Sequence, residues 1–262
     1  MTAISPFERV LRNDRLVALA GIAFVVLLAW GYLLAGAGID MSMAGMEMDP
    51  MPWAVDHALI VFIMWWVMMI AMMVPSAAPT ILLFSTIKRK QEPSGRTSME
   101  AYIFLLGYLL MWAAFSIAAV FVQWVLESLG WMSMEMTSSN AILGGIIRLA
   151  AGLNQFTPPK AACLRHCQSP VIFFSQDWRP GNLGALRMGL RHGAYCVGCC
   201  WFLMALLFVS GIMNLLWIAG IALYVAFEKL LPLNQRLSNA AGLALLASGA
   251  VVLARATWFK AI

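Results

Sequence analysis

All five cysteines of this chain lie between residues 163 and 200. They form two short runs, Cys163-Leu-Arg-His-Cys167 and His192-Gly-Ala-Tyr-Cys196-Val-Gly-Cys199-Cys200. On a helix, His192, Cys196 and Cys199 fall within a sector of about 60°, with Cys200 about 80° from His192. Cys163, His166 and Cys167 have the spacing of one helical turn. A lone buried cysteine is usually a small hydrophobe, but a group of five with two histidines is a ligand set. Four donors from it would satisfy a tetrahedral zinc site, and fewer would satisfy Cu(I). The same residues allow a redox dithiol, Cys196-Val-Gly-Cys199, if it opens a helix whose N-terminal dipole lowers a thiol pKa. The Cys-x-x-Cys-His attachment signature of c-type haem does not occur. Axial haem ligation by His57, His166 or His192 stays open.

Methionine is the second unusual residue, with 19 in 262 residues. Residues 41–51 place Met41, Met43, Met46 and Met48 in a polar stretch that ends at Met51, and residues 132–136 read Met-Ser-Met-Glu-Met. Thioether sulfur is a soft ligand that suits Cu(I). The competing reading rests these segments, with Trp53 and Trp131, in the headgroup layer of a bilayer. Further on, His57, Met64, Met68 and Met72 share a helical sector of roughly 80°. Such a stripe would pass a soft ion inward, although methionine also fills helix interfaces without binding anything. Asp56 beside His57 is a ligand, a hydrogen-bond partner to that histidine, or a helix N-terminal charge.

The elements that must position these residues are apolar. The chain is 62% hydrophobic and 11% charged, against roughly 45–50% and about 25% in soluble domains. That excludes an ordinary soluble enzyme and a disordered chain. Seven apolar runs predict an all-α polytopic bundle in a single membrane domain, over roughly 16–36, 56–84, 102–126, 140–156, 192–209, 212–228 and 239–258. Pro75 and Pro79 predict a kink or unwinding late in the second run. Ser210-Gly211 predicts a tight hairpin between the fifth and sixth. Whether residues 157–191 make a loop, a surface helix or a re-entrant segment stays open.

The net charge of +5 forms no nucleic-acid patch, because the basic residues are spread over the N-terminus and alternate loops. Arg9, Arg12, Arg15, Lys88, Arg89, Lys90, Arg96, Lys160, Arg165, Arg179, Arg187, Arg191, Lys229 and Arg236 mark one side, and the loops 37–55 and 127–139 carry acids only. Positive-inside then puts the N-terminus and the cysteines in the cytoplasm and the methionine loops outside. Cytoplasmic thiols stay reduced. Among polar groups within the spans, Arg148 has Asp56 or Glu127 as possible partners, and Glu228-Lys229 reads as a local interfacial pair.

Three separated motifs carry a resemblance. They are Asp49-Pro-Met-Pro-Trp53 with Met64–Ser76; Pro158-Pro-Lys160 leading to Cys163–Pro170; and Gly184–Trp201, ending in Met213-Asn-Leu-Leu-Trp217. Over residues 40–232 the chain resembles the bacterial domain-of-unknown-function family 2182 of metal-binding integral membrane proteins. The resemblance implies a multi-pass protein of the bacterial inner membrane with a metal as partner. Its metal and any catalysis do not transfer with it. From the residues themselves the expectation is copper handling, with outer methionine capture and an inner Cys/His site, serving transport, homeostasis or delivery to a metallochaperone or client metalloenzyme. A membrane oxidoreductase and a zinc-stapled scaffold are the alternatives. No ATP-binding signature is present, so pumping by this chain alone is not expected.

Overall fold

The computed structural model describes residues 14–36, 53–91, 97–132, 140–231 and 235–258. Within them the architecture is all-α: α1 (Asp14–Leu34), α2 (Val55–Gln91), α3 (Thr97–Ser128), α4 (Ala141–Asn154), α5 (Pro158–Gln168), α6 (Pro170–Asp177), α7 (Gly181–Ala205), α8 (Leu207–Ser210), α9 (Leu215–Leu230) and α10 (Arg236–Trp258).

Five stretches are long and apolar enough to cross a membrane: Val17–Leu34, Val55–Gln91, Met99–Ser128, Gly181–Ser210 and Arg236–Trp258. Such a set is compatible with a multi-pass membrane protein. The other two apolar runs fold as α4, of 14 residues, and α9, of 16, below the ~20 that a bilayer core asks of a spanning helix. The long helices differ in depth. Of their most apolar windows, 56% is enclosed in the Gly181–Ser210 stretch and 50% in α2, against 17% in α1 and α10. The interior of the bundle is therefore built by α2 and α7.

Two glycine contacts set the packing. A Cβ on Gly107 of α3 would collide with the α7 backbone, and one on Gly189 would collide with the α3 backbone. Their main chains touch there, as small residues allow in membrane bundles. In the same way, Gly249 of α10 meets the Gly145 carbonyl of α4, and Gly152 of α4 meets the Gly242 carbonyl, each 3.0 Å from the missing Cβ. The short α4 thus finds its place against α10.

Two sequence expectations change. Pro75 and Pro79 lie inside α2, which stays helical from Val55 to Gln91 rather than unwinding. Hydroxyls reach the main chain at this point: Ser76 Oγ (2.8 Å) and Tyr108 OH (3.1 Å) both donate to the Met73 carbonyl, the kind of local donor that lets membrane helices carry proline. The fifth run begins not at His192 but at Gly181, because a polar, arginine-bearing helical segment precedes the apolar part. The hairpin after it turns at Gly211, whose φ of +93° suits glycine.

Candidate metal centre

Because Gly107 and Gly189 hold α3 and α7 in backbone contact, Tyr108 and Cys196 come face to face. The Tyr108 hydroxyl is 3.1 Å from Cys196 Sγ. Cys196, Cys199 and Cys200 all point inward from α7 and are fully buried. On α5, the buried Cys167 thiol interacts with those of Cys196 and Cys199. These contacts and its burial hold the Cys167 thiol well above the ordinary cysteine range. From α2, Met73 brings its Sδ to 4.0 Å from Cys200 Sγ. All five cysteines are free thiols.

Cys163 sits at the edge of this group, half-exposed, over the bare backbone of Gly198, where a Cβ would lie 2.9 Å from its Sγ. Burial and the nearby Cys199 push its thiol up. His192, one turn before Cys196, is buried among the rings of Phe173, Tyr108 and Phe104 at 5.2, 5.8 and 6.1 Å, and its Nδ1 has no hydrogen-bond partner. His166 is turned elsewhere. Its ring stacks on Tyr195 at 4.2 Å, and Nδ1 lies 2.9 Å from the Ala162 carbonyl.

The group also holds a charge that the sequence did not reveal. Lys229 of α9, 5% exposed, places its ammonium 2.8 Å from Cys196 Sγ and 3.4 Å from Ser76 Oγ. Glu228 turns the other way and pairs with Lys160 of α5 at 2.6 Å; the two side chains are 2% and 1% exposed. The interfacial Glu228–Lys229 pair is thus corrected: both are buried and each faces a different partner. Tyr224 (3.0 Å) and Ser238 donate to Glu228 Oε1 as well, and Gln168 Nε2 reaches the Glu228 carbonyl at 2.8 Å. These bonds clamp α5 to α9 beside the thiols.

The dithiol expectation is corrected in one respect. Cys196 lies about four turns into α7, whereas a helix dipole acts within the first turn. The cation facing Cys196 is Lys229, not a helix end.

At the start of α2 the surroundings differ. Asp56 is exposed and His57 half-buried, its ring edge-on to Trp53 at 5.0 Å. Trp53 Nε1 donates to Glu127 (2.8 Å), Gln123 Nε2 to Glu127 (2.8 Å) and Trp65 Nε1 to Gln123 (2.8 Å). Arg148 uses neither Asp56 nor Glu127; its Nη1 reaches the Gly144 carbonyl at 3.3 Å. Met64, Met68 and Met72 are fully buried in the apolar core. Met41, Met43, Met46 and Met48 lie outside the described residues, as do residues 133–136.

Among the described residues, no group of three or more His, Cys, Asp or Glu side chains is gathered around one point as a polydentate metal cage. What the geometry offers instead is a cluster of thiols, one thioether and one ammonium, closed to water. The residues that sequence reasoning passed over are Met73, Ser76, Tyr108 and Lys229. Met73 stood in the visible methionine run, but about 100° from the stripe chosen. Tyr108 and Ser76 gave no signal.

The chain belongs to PpoB2, a copper chaperone family, whose model matches residues 62–252. That stretch is about three quarters of the chain and contains all five cysteines, Met73, Tyr108 and Lys229. The match shows a copper-related family and does not carry the name of family 2182. No curated protein and no solved structure matches the chain.

Proposed function

We propose that this protein is a multi-pass copper chaperone of the bacterial inner membrane, with a cytoplasmic N-terminus, that carries Cu(I) as cargo on its buried thiols. The observation that carries the reading is the meeting of Cys167, Cys196, Cys199 and Cys200 from two helices with the Met73 thioether of a third. Copper family membership and the softness of this donor set agree. Thiolate and thioether select Cu(I), and a low-coordinate ion needs no ready-made cage of three or four ligands. Binding Cu(I) by these thiols requires that their protons leave.

In this reading Cys163, at the rim, is the first thiol an ion meets on its way to or from the cluster. His192 is a further donor through its unpartnered Nδ1. Met41, Met43, Met46 and Met48 collect copper on the opposite face, and His57 with Met64, Met68 and Met72 marks a path between the two. Delivery to a client metalloenzyme is the outcome that the chaperone family suggests. Family 2182 and the copper family fall on largely the same residues, and we read them as one group.

Metal content per chain on detergent-purified protein tests the proposal, with wild type beside a Cys167/Cys196/Cys199/Cys200→Ser variant and a Met41/Met43/Met46/Met48→Leu variant. Copper lost in the first and loaded more slowly in the second is the expected result. Zinc in place of copper, or copper indifferent to the cysteines, contradicts it.

A further inference from the structure

Copper binding by thiols does not by itself account for Lys229. A buried ammonium is destabilising unless an anion faces it. The acids on the helices around it are engaged or remote. Glu228 is paired with Lys160, Glu100 of α3 with Lys88 at 2.7 Å, and Glu127 takes the Trp53 and Gln123 donors. Asp56 stands at the exposed start of α2, and α5 and α7 contain no Asp or Glu. Among the described residues, the ionisable group in contact with Nζ is the Cys196 thiol, with Sγ at 2.8 Å; the nearby Tyr108 hydroxyl keeps its proton on the Met73 carbonyl.

We infer that Lys229 is a fixed counter-charge that sets the thiolate count of the bound ion at one more than the ion's own charge. The inference rests on the reading above, that these thiols hold the cargo. The arithmetic is short. Cu(I) with two thiolates carries a net charge of −1, which the ammonium cancels among buried side chains, where an uncompensated charge is costly. A third thiolate would leave a buried charge of −1, and a single one would leave +1. Cu(I) is therefore held by two thiolates, Cys196 and one partner from Cys167, Cys199 or Cys200. The Met73 thioether approaches without changing the charge. A divalent ion would need three thiolates, a ligand number that Cu(I) avoids under the same lysine. Lys229 is a positioning residue: it touches the ligand sulfur, not the metal.

The experiment uses the full chain in detergent with Cu(I) and a competing Cu(I) chelator. Lys229→Gln is expected to weaken Cu(I) binding on the order of a hundredfold, as when one member of a buried pair is removed. Lys229→Arg is expected to restore it to within a few-fold. The Lys229→Gln/Cys196→Ser double variant should lose less than the product of the two single losses, because charge and counter-charge leave together. Copper K-edge X-ray absorption on the wild type should show two short copper–sulfur bonds, a measurement that needs no variant to fold. Equal or tighter Cu(I) binding by Lys229→Gln would make the lysine a mere occupant of the site and overturn the inference, and three short copper–sulfur bonds would do the same. Copper retained in full by the four-cysteine variant strikes instead at the underlying reading, so the two failures are distinguishable.

Discussion

The two parts of α2 make the instructive comparison. At its start, Asp56 and His57 sit by Trp53, Glu127 and Gln123, joined by hydrogen bonds of 2.8 Å between hard nitrogen and oxygen atoms. About 24 Å along the same helix, Met73 and Ser76 face thiols, a tyrosine and a lysine. Both ends contain residues able to bind metal. At the first, the acid is engaged by indole and amide donors, which stitch α2 to α3. At the second, the sulfurs meet one another and one cation. Ligand type alone therefore does not separate the two ends. What distinguishes the thiol end is that soft donors from three helices converge and no carboxylate competes for the charge.

That contrast can be broken first with Cys167 and Cys196. Replacing both with Ser is expected to lower Cu(I) affinity by two orders of magnitude or more, the scale of losing strong soft ligands, while His57→Ala stays within a few-fold; chelator competition on the purified chain measures both. The clamp beside the thiols comes next. Lys160→Met leaves Glu228 buried without its partner and should destabilise the fold by about 3–5 kcal/mol, read as a lowered unfolding midpoint in detergent. Gly189→Ala tests whether backbone contact positions the site. It inserts a methyl group into the α3 main chain, costing about 1–3 kcal/mol as overpacking does, and copper should be lost although no ligand is touched.

Two smaller effects sharpen the comparison. Met73→Leu keeps the volume, so stability should change by less than about 1.5 kcal/mol, while Cu(I) affinity falls several-fold. The same change at Met68, fully buried in the core, should leave equilibrium affinity alone. Trp53→Phe removes one hydrogen bond to Glu127, worth about 1.5–3 kcal/mol because its acceptor is charged, and should not alter bound copper at all.

The fold class was legible from composition, since a chain so poor in charge and so rich in apolar runs has few ways to fold. The cysteine group was legible too, because crowding in sequence placed three thiols on one helical face. Cys167, named in the same group, comes to those thiols from a separate helix, α5. The start of α7 was not legible. Residues 181–191 carry two arginines and three glycines, so hydropathy ended the span at His192 while the backbone stayed helical. Lys229 was hidden for a different reason. Next to Glu228 it resembles a surface ion pair, and on a helix consecutive residues point about 100° apart. That turn sends the acid to Lys160 and the lysine to Cys196. His166 has a different setting: its ring stacks on Tyr195 and its Nδ1 faces the Ala162 carbonyl.

The central claim is that the thiol cluster, and not the mouth of α2, holds copper. Its most direct test is copper per chain after anaerobic loading with Cu(I), on the wild type, the Cys167/Cys196/Cys199/Cys200→Ser variant and a His57→Ala/Asp56→Asn variant, each verified as a folded helical protein. The account expects tightly held copper in the wild type and the α2-mouth variant, and none in the cysteine variant. Copper that survives loss of the cysteines and disappears with His57 and Asp56 would contradict it.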